Sequence, residues 1–170
     1  MLKLAGIAGD RIVDGPGIRT TIFAQGCPHH CPGCHNPETW PFEGGTEMDE
    51  ATVVRIVEAN PLCKGVTFSG GEPFAQAEAF ARLGRMLKER GYEVASYSGY
   101  TFEQLLAGTP EQRALLETLD VLIDGPFLLK ERSLELNFRG SSNQRILNVP
   151  KSLEQGAAAE ETSPRWLGEY

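Results

Sequence analysis

Short runs of β-favouring residues alternate along this chain with segments of helical periodicity, and this alternation limits the possible folds more than any other feature of the sequence. Strands are predicted at residues 20–25, 65–69, 92–97, 121–123 and 145–149, with a short strand within residues 1–10. Helices are predicted to begin near Asp49, at Thr101 and at Thr109, and to span residues 75–90. Strands that alternate with helices form parallel sheets with right-handed crossovers, so the sequence predicts an α/β fold with a largely parallel sheet.

The length of the chain sets how far such a sheet can extend. A complete (β/α)8 barrel takes about 250 residues, whereas this chain has 170. We therefore expect a single-domain, partial (open) β/α barrel, and a doubly wound sheet is the alternative. Residues 1–155 form the predicted domain, and the acidic, turn-rich residues 156–170 form a tail that we expect to be mobile or loosely docked.

Composition narrows the class of protein. The chain is 41% hydrophobic, which is enough for a core, and no apolar run reaches the roughly 18 residues of a membrane-spanning helix. Its formal net charge of −7 disfavours broad binding to nucleic acid or anionic membranes, because both need a basic surface. The first ten residues lack the apolar stretch of a signal peptide. We expect a cytoplasmic protein with an acidic surface.

Three of the four cysteines fall close together in sequence: Cys27, Cys31 and Cys34. Structural disulfides are rare in cytoplasmic proteins, and soft thiolates select an iron–sulfur cluster or zinc. An electron-carrying [4Fe–4S] cluster uses four cysteine ligands, so three would leave one iron open for a small chelating substrate. Zinc with a fourth ligand from His29, His30 or His35 is the alternative, although zinc sites usually pair cysteines in two separate knuckles. Cys63 stands apart, and we expect it to be a structural thiol.

A glycine-rich loop at residues 70–73, with the sequence Gly-Gly-Glu-Pro, follows the predicted strand at residues 65–69. Glycines let a backbone approach a ligand closely, and the exposed carbonyls and the Glu72 carboxylate could accept hydrogen bonds from a ligand's ammonium group. Glu72 could instead only brace the loop. Ser98 and Asp124 also follow predicted strands, and the carboxyl ends of parallel strands meet at one edge of a sheet. Turn formation explains these two residues equally well.

The cysteine spacing, C-x-x-x-C-x-x-C, together with the loop at residues 70–73 resembles the radical S-adenosylmethionine family. The resemblance implies that Cys27, Cys31 and Cys34 bind one [4Fe–4S] cluster, and that the amino and carboxylate groups of S-adenosylmethionine chelate the fourth iron. An electron from the cluster would then break a carbon–sulfur bond and give methionine and a 5′-deoxyadenosyl radical. Many members carry an aromatic residue immediately before the third cysteine, where this chain has Gly33, so the contacts to adenine would differ.

The predicted cofactor contacts are Gly33, His35, Gly70, Gly71, Glu72 and Pro73, together with Ser98 and Asp124, which are predicted from their positions after strands. No side chain is expected to act as a general acid or base, since the abstracting agent would be the deoxyadenosyl carbon. Two segments that flank the cysteines resemble glycyl-radical-enzyme activases: residues 14–20 (DGPGIRT), in which Arg19 could pair with a carboxylate, and residues 34–40 (CHNPETW).

Residues 97–103 (YSGYTFE) and 136–145 (LNFRGSSNQR) resemble the activating proteins of anaerobic (class III) ribonucleotide reductases. The resemblance implies removal of a hydrogen atom from a glycine of the reductase large subunit, with electrons from an external low-potential donor. We expect residues 139–145 to help receive the partner's glycine-bearing loop, and a solvated surface loop is the alternative. Activation of another glycyl radical enzyme, such as a pyruvate formate-lyase type, and a non-catalytic zinc or iron–sulfur protein are the competing functions.

Overall fold

The computed structural model describes residues 1–34, 37–133 and 135–167. The strands are β1 (Leu2–Arg11), β2 (Arg19–Ala24), β3 (Thr46–Met48), β4 (Gly65–Gly70), β5 (Glu93–Tyr97), β6 (Val121–Asp124) and β7 (Arg145–Asn148). The helices are α1 (Glu50–Glu58), α2 (Ala77–Glu89), α3 (Phe102–Leu106), α4 (Pro110–Thr118), α5 (Val149–Gln155) and α6 (Pro164–Leu167). Within these ranges, no helix is long and apolar enough to cross a membrane. The short elements β3, α5 and α6 were not predicted from the sequence.

The strands form one sheet in the order β3-β1-β2-β4-β5-β6-β7. The inner strands β2, β4, β5 and β6 run parallel and are connected through helices, as the alternation predicts. The outer strands β1, β3 and β7 pair antiparallel, which was not predicted. A turn at residues 12–18 joins β1 to β2 directly, whereas a parallel pair would need a long crossover. The α/β class and the open, largely parallel sheet are confirmed.

Helices cover one face of the sheet and bury a large apolar core. The periodicity of helix α2 predicts a core face of Ala79, Phe80, Leu83, Met86 and Leu87. Four of these side chains are buried, and Met86 is partly buried against the core. In α1 the sequence predicts an apolar stripe of Val53, Val54, Ile56 and Val57. The three valines are buried, whereas Ile56 is 41% exposed, so the prediction is wrong for Ile56. Successive helical residues turn by about 100°, so Ile56 lies to one side of the face that is formed by Val53, Val54 and Val57.

Both predicted helix starts after β5 are confirmed. Thr101 caps α3 and Thr109 caps α4, and the glutamine three residues further on completes a capping box in each case. Asp49 caps α1 by accepting a hydrogen bond from the backbone of Thr52. Since α3 begins directly after the loop at residues 98–100, its cap fixes where that loop leaves the sheet.

The opposite face of the sheet carries a smaller apolar cluster that is closed by α6. Its members are Ala95, Val121, Ile123, Ile146 and Trp166. Trp166 is 1% exposed, and the backbone N–H of Asn148 donates to the carbonyl of Ala159 at 2.8 Å. The division of the chain at residue 155 stays a prediction. In the structure, residues 156–167 lie against the sheet.

Candidate functional site

A cavity of about 530 Å³ opens at the carboxyl ends of β2, β4 and β5. The predicted site residues that line it are Cys27, Cys31, Cys34, Gly70, Gly71, Glu72 and Ser98. Gly33, Pro73 and Asp124 are not among the lining residues, and His35 lies outside the described residues. The fold therefore brings the cysteines together with the two loops that follow β4 and β5, as the edge of a parallel sheet should.

The cysteine loop, residues 27–34, is anchored where it leaves β2. Gly26 takes a positive φ of 105°, a conformation that favours glycine. The backbone N–H groups of Gly26 and Cys27 donate to the carbonyls at residues 39–40, at 2.6 and 3.0 Å. These two bonds close the loop at its base, so the thiols are carried by a segment that is fixed to the end of the sheet.

The three thiols differ in burial. Cys27 is 9% exposed, whereas Cys31 and Cys34 are half-buried. Burial raises the pKa of both the Cys27 and the Cys31 thiol, so binding of a metal must release protons. Among the residues that the structure describes, no three His, Cys, Asp or Glu side chains are grouped to hold one metal ion. Three soft thiols on the wall of one cavity fit the donor set of an iron–sulfur cluster.

The buried carboxylate of Glu72 joins three loops around the cavity. Its Oε1 lies 2.6 Å from His29 Nε2 and accepts hydrogen bonds from Ser98 Oγ at 3.0 Å and from the backbone of Gly99 at 2.8 Å. Its Oε2 accepts from the backbone of Phe74 at 3.1 Å. Glu72 is 1% exposed. These contacts match the bracing role that the sequence left open, while a contact with a ligand's ammonium group stays a prediction.

The two glycines of the loop at residues 70–73 bring it against the base of the cysteine loop. The backbone of Gly71 donates to the Ala24 carbonyl, and that of Glu72 donates to the Gly26 carbonyl, both at 2.8 Å. A side chain at Gly71 would collide with the same Gly26 carbonyl, and one at Gly70 would come within 2.6 Å of the Ala24 nitrogen. The close backbone approach that two glycines predict is therefore made to the neighbouring loop.

Asp124 ends β6 and is buried away from the cavity. Its Oδ1 accepts a hydrogen bond from Arg145 Nε at 3.0 Å, and its Oδ2 accepts from the backbone of Phe102 at 2.7 Å. The hydrogen bond with Asp124 raises the pKa of the Arg145 guanidinium above its ordinary value. Asp124 thus ties β6 to β7 and to the start of α3, and its predicted contact with the cofactor stays a prediction.

The remaining predicted contacts are placed beside the cavity wall. Gly33 has a positive φ of 77°, and a side chain there would come within 2.7 Å of Leu129 and 3.3 Å of Phe127. Pro73 is buried at the start of a short 3-10 turn. Phe127 itself lines the cavity, which sequence reasoning missed. An aromatic ring therefore stands next to Gly33 in space, although none precedes the third cysteine in sequence.

Part of the cavity wall is formed by Arg11, Asp14, Tyr97, Phe138 and the polar segment at residues 139–145, and we call this part the far wall. Arg139, Gly140 and Gln144 of this segment line the cavity. Arg139 Nη1 donates to the carbonyl of Gln144 at 3.2 Å, and the backbone of Gly140 donates to Gln144 Oε1 at 2.8 Å. Arg145 is turned away and bonded to Asp124. The segment is thus internally bonded, and its predicted role in receiving a partner stays a prediction.

Four further side chains of the far wall were missed as site residues: Arg11, Asp14, Tyr97 and Phe138. Arg11 Nε donates to Asp14 Oδ2 at 2.9 Å, and the Tyr97 hydroxyl donates to the carbonyl of Phe138 at 2.6 Å. Burial raises the pKa of Tyr97 well above its ordinary value, so the hydroxyl stays a donor. The available signal was the DGPGIRT pattern, which begins at Asp14.

Comparison with known proteins identifies the family. Residues 13–147 match the family model described as a 4Fe-4S single cluster domain. The chain is 34% identical over 143 residues to the anaerobic ribonucleoside-triphosphate reductase-activating protein of Vibrio cholerae, covering 79% of this chain and 90% of that protein. It is 37% identical over 118 residues to the pyruvate formate-lyase-activating enzyme of Clostridium pasteurianum, covering 64% of this chain and 50% of that protein.

Among solved structures, the chain has a TM-score of 0.49 and 15% identity to QueE from Escherichia coli, covering 59% of this chain and 53% of that chain. The sequence relationship to the Vibrio cholerae protein, by contrast, extends over most of both chains. This chain belongs to the family of anaerobic ribonucleoside-triphosphate reductase-activating proteins and carries its 4Fe-4S single cluster domain.

Proposed function

We propose that the protein is a glycyl-radical-enzyme activase that uses one [4Fe–4S] cluster and S-adenosylmethionine to activate an anaerobic ribonucleotide reductase. The observation that carries the proposal is the placement of Cys27, Cys31 and Cys34 on the wall of one cavity with the loop at residues 70–72. Three thiolates for one cluster leave a coordination position for a substrate, which a cluster with four cysteines lacks. Family membership supports the same reading.

Cys27, Cys31 and Cys34 would hold the cluster, which would supply the electron for cleavage of S-adenosylmethionine to methionine and a 5′-deoxyadenosyl radical, the agent that would take a hydrogen atom from a glycine Cα. The chain's own residues hold the reactants in place and limit access of water. Glu72 fixes the loops after β4 and β5 to the cysteine loop through His29, Ser98 and Gly99. Their exact spacing matters, because misplacement of a reacting group by about 1 Å can cost a hundredfold in rate.

The cofactor contacts with structural support are those on the cavity wall: Gly70, Gly71, Glu72 and Ser98. Gly33 and Pro73 stand next to wall residues, and the proposal keeps both as cofactor contacts. Asp124 is supported less well, because both of its oxygens are occupied by protein donors. The proposed contact of His35 follows from the family resemblance alone.

The proposed partner is the glycine-bearing loop of the reductase large subunit. The far wall of the cavity, with Arg139, Gly140 and Gln144, offers both an arginine and backbone groups to such a loop. The relatives named after anaerobic ribonucleoside-triphosphate reductase support this partner. An external low-potential electron donor and a cytoplasmic location complete the proposal.

The test is anaerobic reconstitution of the full chain with iron and sulfide, followed by reduction with S-adenosylmethionine present. We expect methionine and 5′-deoxyadenosine as products, and a glycyl radical in the electron paramagnetic resonance spectrum after the reductase is added. A reconstituted, reduced protein that leaves S-adenosylmethionine intact would favour a non-catalytic metal protein and contradict the proposal.

A second candidate function is activation of a pyruvate formate-lyase type enzyme, which the relative from Clostridium pasteurianum favours. The same protein preparation is therefore mixed separately with each glycyl radical enzyme. A radical on the lyase and none on the reductase would replace the proposed partner while leaving the chemistry unchanged.

A further inference from the structure

Trp166 closes the smaller apolar cluster of the sheet and also contacts Arg19, Glu93 and Phe138, although it lies beyond the segment that matches the family model. That match ends at residue 147, whereas Trp166 belongs to α6 and is 1% exposed. The Arg19 guanidinium lies 5.3 Å from the centre of its ring, and its indole N–H donates to Glu93 Oε2 at 3.4 Å. A buried tryptophan with a partner for its N–H is a strong anchor for a terminal segment.

On one side, Trp166 supports the turn that connects β1 to β2. Gly15 packs so closely that a side chain there would come within 2.9 Å of the indole and 2.7 Å of Arg19. Arg19 is itself buried and pairs with Glu93 at 2.7 Å, which confirms the predicted pairing with a carboxylate. Asp14, the neighbour of Gly15, lines the cavity. The indole therefore fixes the position of the turn that carries Asp14.

On the other side, Trp166 supports the loop that carries Phe138. The two rings meet edge to face, with centroids 5.4 Å apart. Phe138 has a positive φ of 60°, which is unfavourable for a bulky residue and persists only where the surroundings enforce it. Asn137 Nδ2 donates to the carbonyl of Leu167 at 3.2 Å, and the Tyr97 hydroxyl donates to the carbonyl of Phe138. The C-terminal segment thus holds a strained loop that forms part of the far wall.

We propose that Trp166 is a positioning residue that holds the far wall of the cavity, through Gly15 and Phe138, in the shape that receives the partner's glycine-bearing loop. The proposal rests on the proposed function. Trp166 contacts Arg19 and Glu93 at the amino ends of β2 and β5, whereas the cysteines and the loop at residues 70–73 follow carboxyl ends. Substitution of Trp166 should therefore impair glycyl radical formation on the partner far more than cleavage of S-adenosylmethionine.

The test compares the full-length, reconstituted wild-type protein with Trp166→Ala, Trp166→Leu and Trp166→Phe. Leu167→Ala is the matched control, because that side chain lies on the same short helix and is 41% exposed. Three quantities are measured: amide hydrogen exchange at residues 12–17 and 135–144, cleavage of S-adenosylmethionine without a partner, and glycyl radical formation as a function of reductase concentration.

In Trp166→Ala we expect exchange in both segments to accelerate about tenfold, and the half-saturating reductase concentration to rise about tenfold. Cleavage without a partner should stay within about twofold of wild type. Trp166→Phe should bring both the exchange rates and the half-saturating reductase concentration most of the way back to the wild-type values. Leu167→Ala should match wild type in all three quantities. If Trp166→Ala does not fold, Trp166→Leu is used in its place and judged by the same criteria, because leucine fills more of the space left by the indole.

Unchanged exchange at residues 12–17 and 135–144 would overturn the inference, and so would a loss of partner-free cleavage in proportion to the loss of radical formation. Hydrogen exchange needs no partner, so it separates the inference from the proposed function. A wild-type protein that cleaves S-adenosylmethionine but forms no radical on the reductase would contradict the proposed function alone.

Discussion

The imidazole of His29 lies 2.6 Å from the carboxylate of Glu72, although the two residues are 43 positions apart in sequence. This contact links the cysteine loop to the loop at residues 70–73. The buried carboxylate of Glu72 accepts a hydrogen bond from a backbone N–H group at each oxygen, from Gly99 and from Phe74, so Glu72→Gln turns an amide NH₂ towards one of these two donors. We expect it to lower the free energy of unfolding by about 1–3 kcal/mol, measured by urea denaturation.

A double-mutant cycle with His29→Ala tests whether the pair acts as a unit. The coupling free energy should be about 0.5–3 kcal/mol for two groups in direct contact. His30→Ala is the control, since that ring stacks on Trp40 instead and should not couple to Glu72. Additive effects of the His29 and Glu72 substitutions would mean a coupling free energy of zero, and the contact would then contribute nothing to stability.

Gly71→Ala should disturb the cluster site through the backbone. A methyl group at this position collides with the Gly26 carbonyl, so one of the two loops must shift, at a cost of about 1–3 kcal/mol. We expect lower thermal stability and less iron bound after reconstitution. Gly6→Ala, in open space on β1, is the control and should leave both quantities unchanged. Equal iron content in the two variants would count against the close contact between the loops.

Asp124 and Glu103 both bond to Arg145, but only Asp124 is buried. Asp124→Asn leaves the partly buried guanidinium without its main counter-charge, and we expect a loss of about 2–3 kcal/mol in the free energy of unfolding. Glu103 is 57% exposed, so Glu103→Gln should cost less than about 0.5 kcal/mol. Denaturant unfolding of the two variants provides the comparison, and similar losses in both would contradict the structural role assigned to Asp124.

The Glu103–Arg145 pair should also respond to pH. A hydrogen bond from Arg145 lowers the pKa of the Glu103 carboxyl below its ordinary value. A lowered carboxyl pKa contributes stability above the unfolded-state pKa of about 4.3, and that stability is lost as the pH falls through the folded-state pKa. The small excess in melting temperature of wild type over Glu103→Gln at pH about 7 should therefore vanish in more acidic solution. An excess that grows on acidification would have the wrong sign.

The four cysteines should divide into three that bind iron and one that does not. Alanine at Cys27, Cys31 or Cys34 should each prevent retention of iron and acid-labile sulfide after anaerobic reconstitution. Cys63 is 5% exposed and bonds within the core to Thr20 and Gly65. Cys63→Ala should keep the cluster and lose only about 1 kcal/mol of stability. Full iron retention in Cys31→Ala would refute the cluster assignment.

Features that depend on neighbouring residues were predictable. The capping boxes at Thr101 and Thr109 join residues three apart, and the parallel strands follow from the strand–helix alternation. The antiparallel pairing of β1 with β2 was missed, although the short turn at residues 12–18 excludes a parallel pair. The strand–helix alternation does not show which partners the edge strands β3 and β7 take. The burial of Trp166 was missed because its contacts with Arg19 and Glu93 have no local signature.

The sequence by itself determined the chemistry that is available here: three clustered thiols, a glycine-rich loop after a strand, and a fold in which loops gather at one edge of a sheet. The tertiary structure decided what each polar group does. It assigned Glu72 to join three loops, and it turned Asp124 towards Arg145 rather than the cavity. A buried charge needs partners, and which partners it meets depends on the order of strands and on loop lengths, which no local pattern specifies.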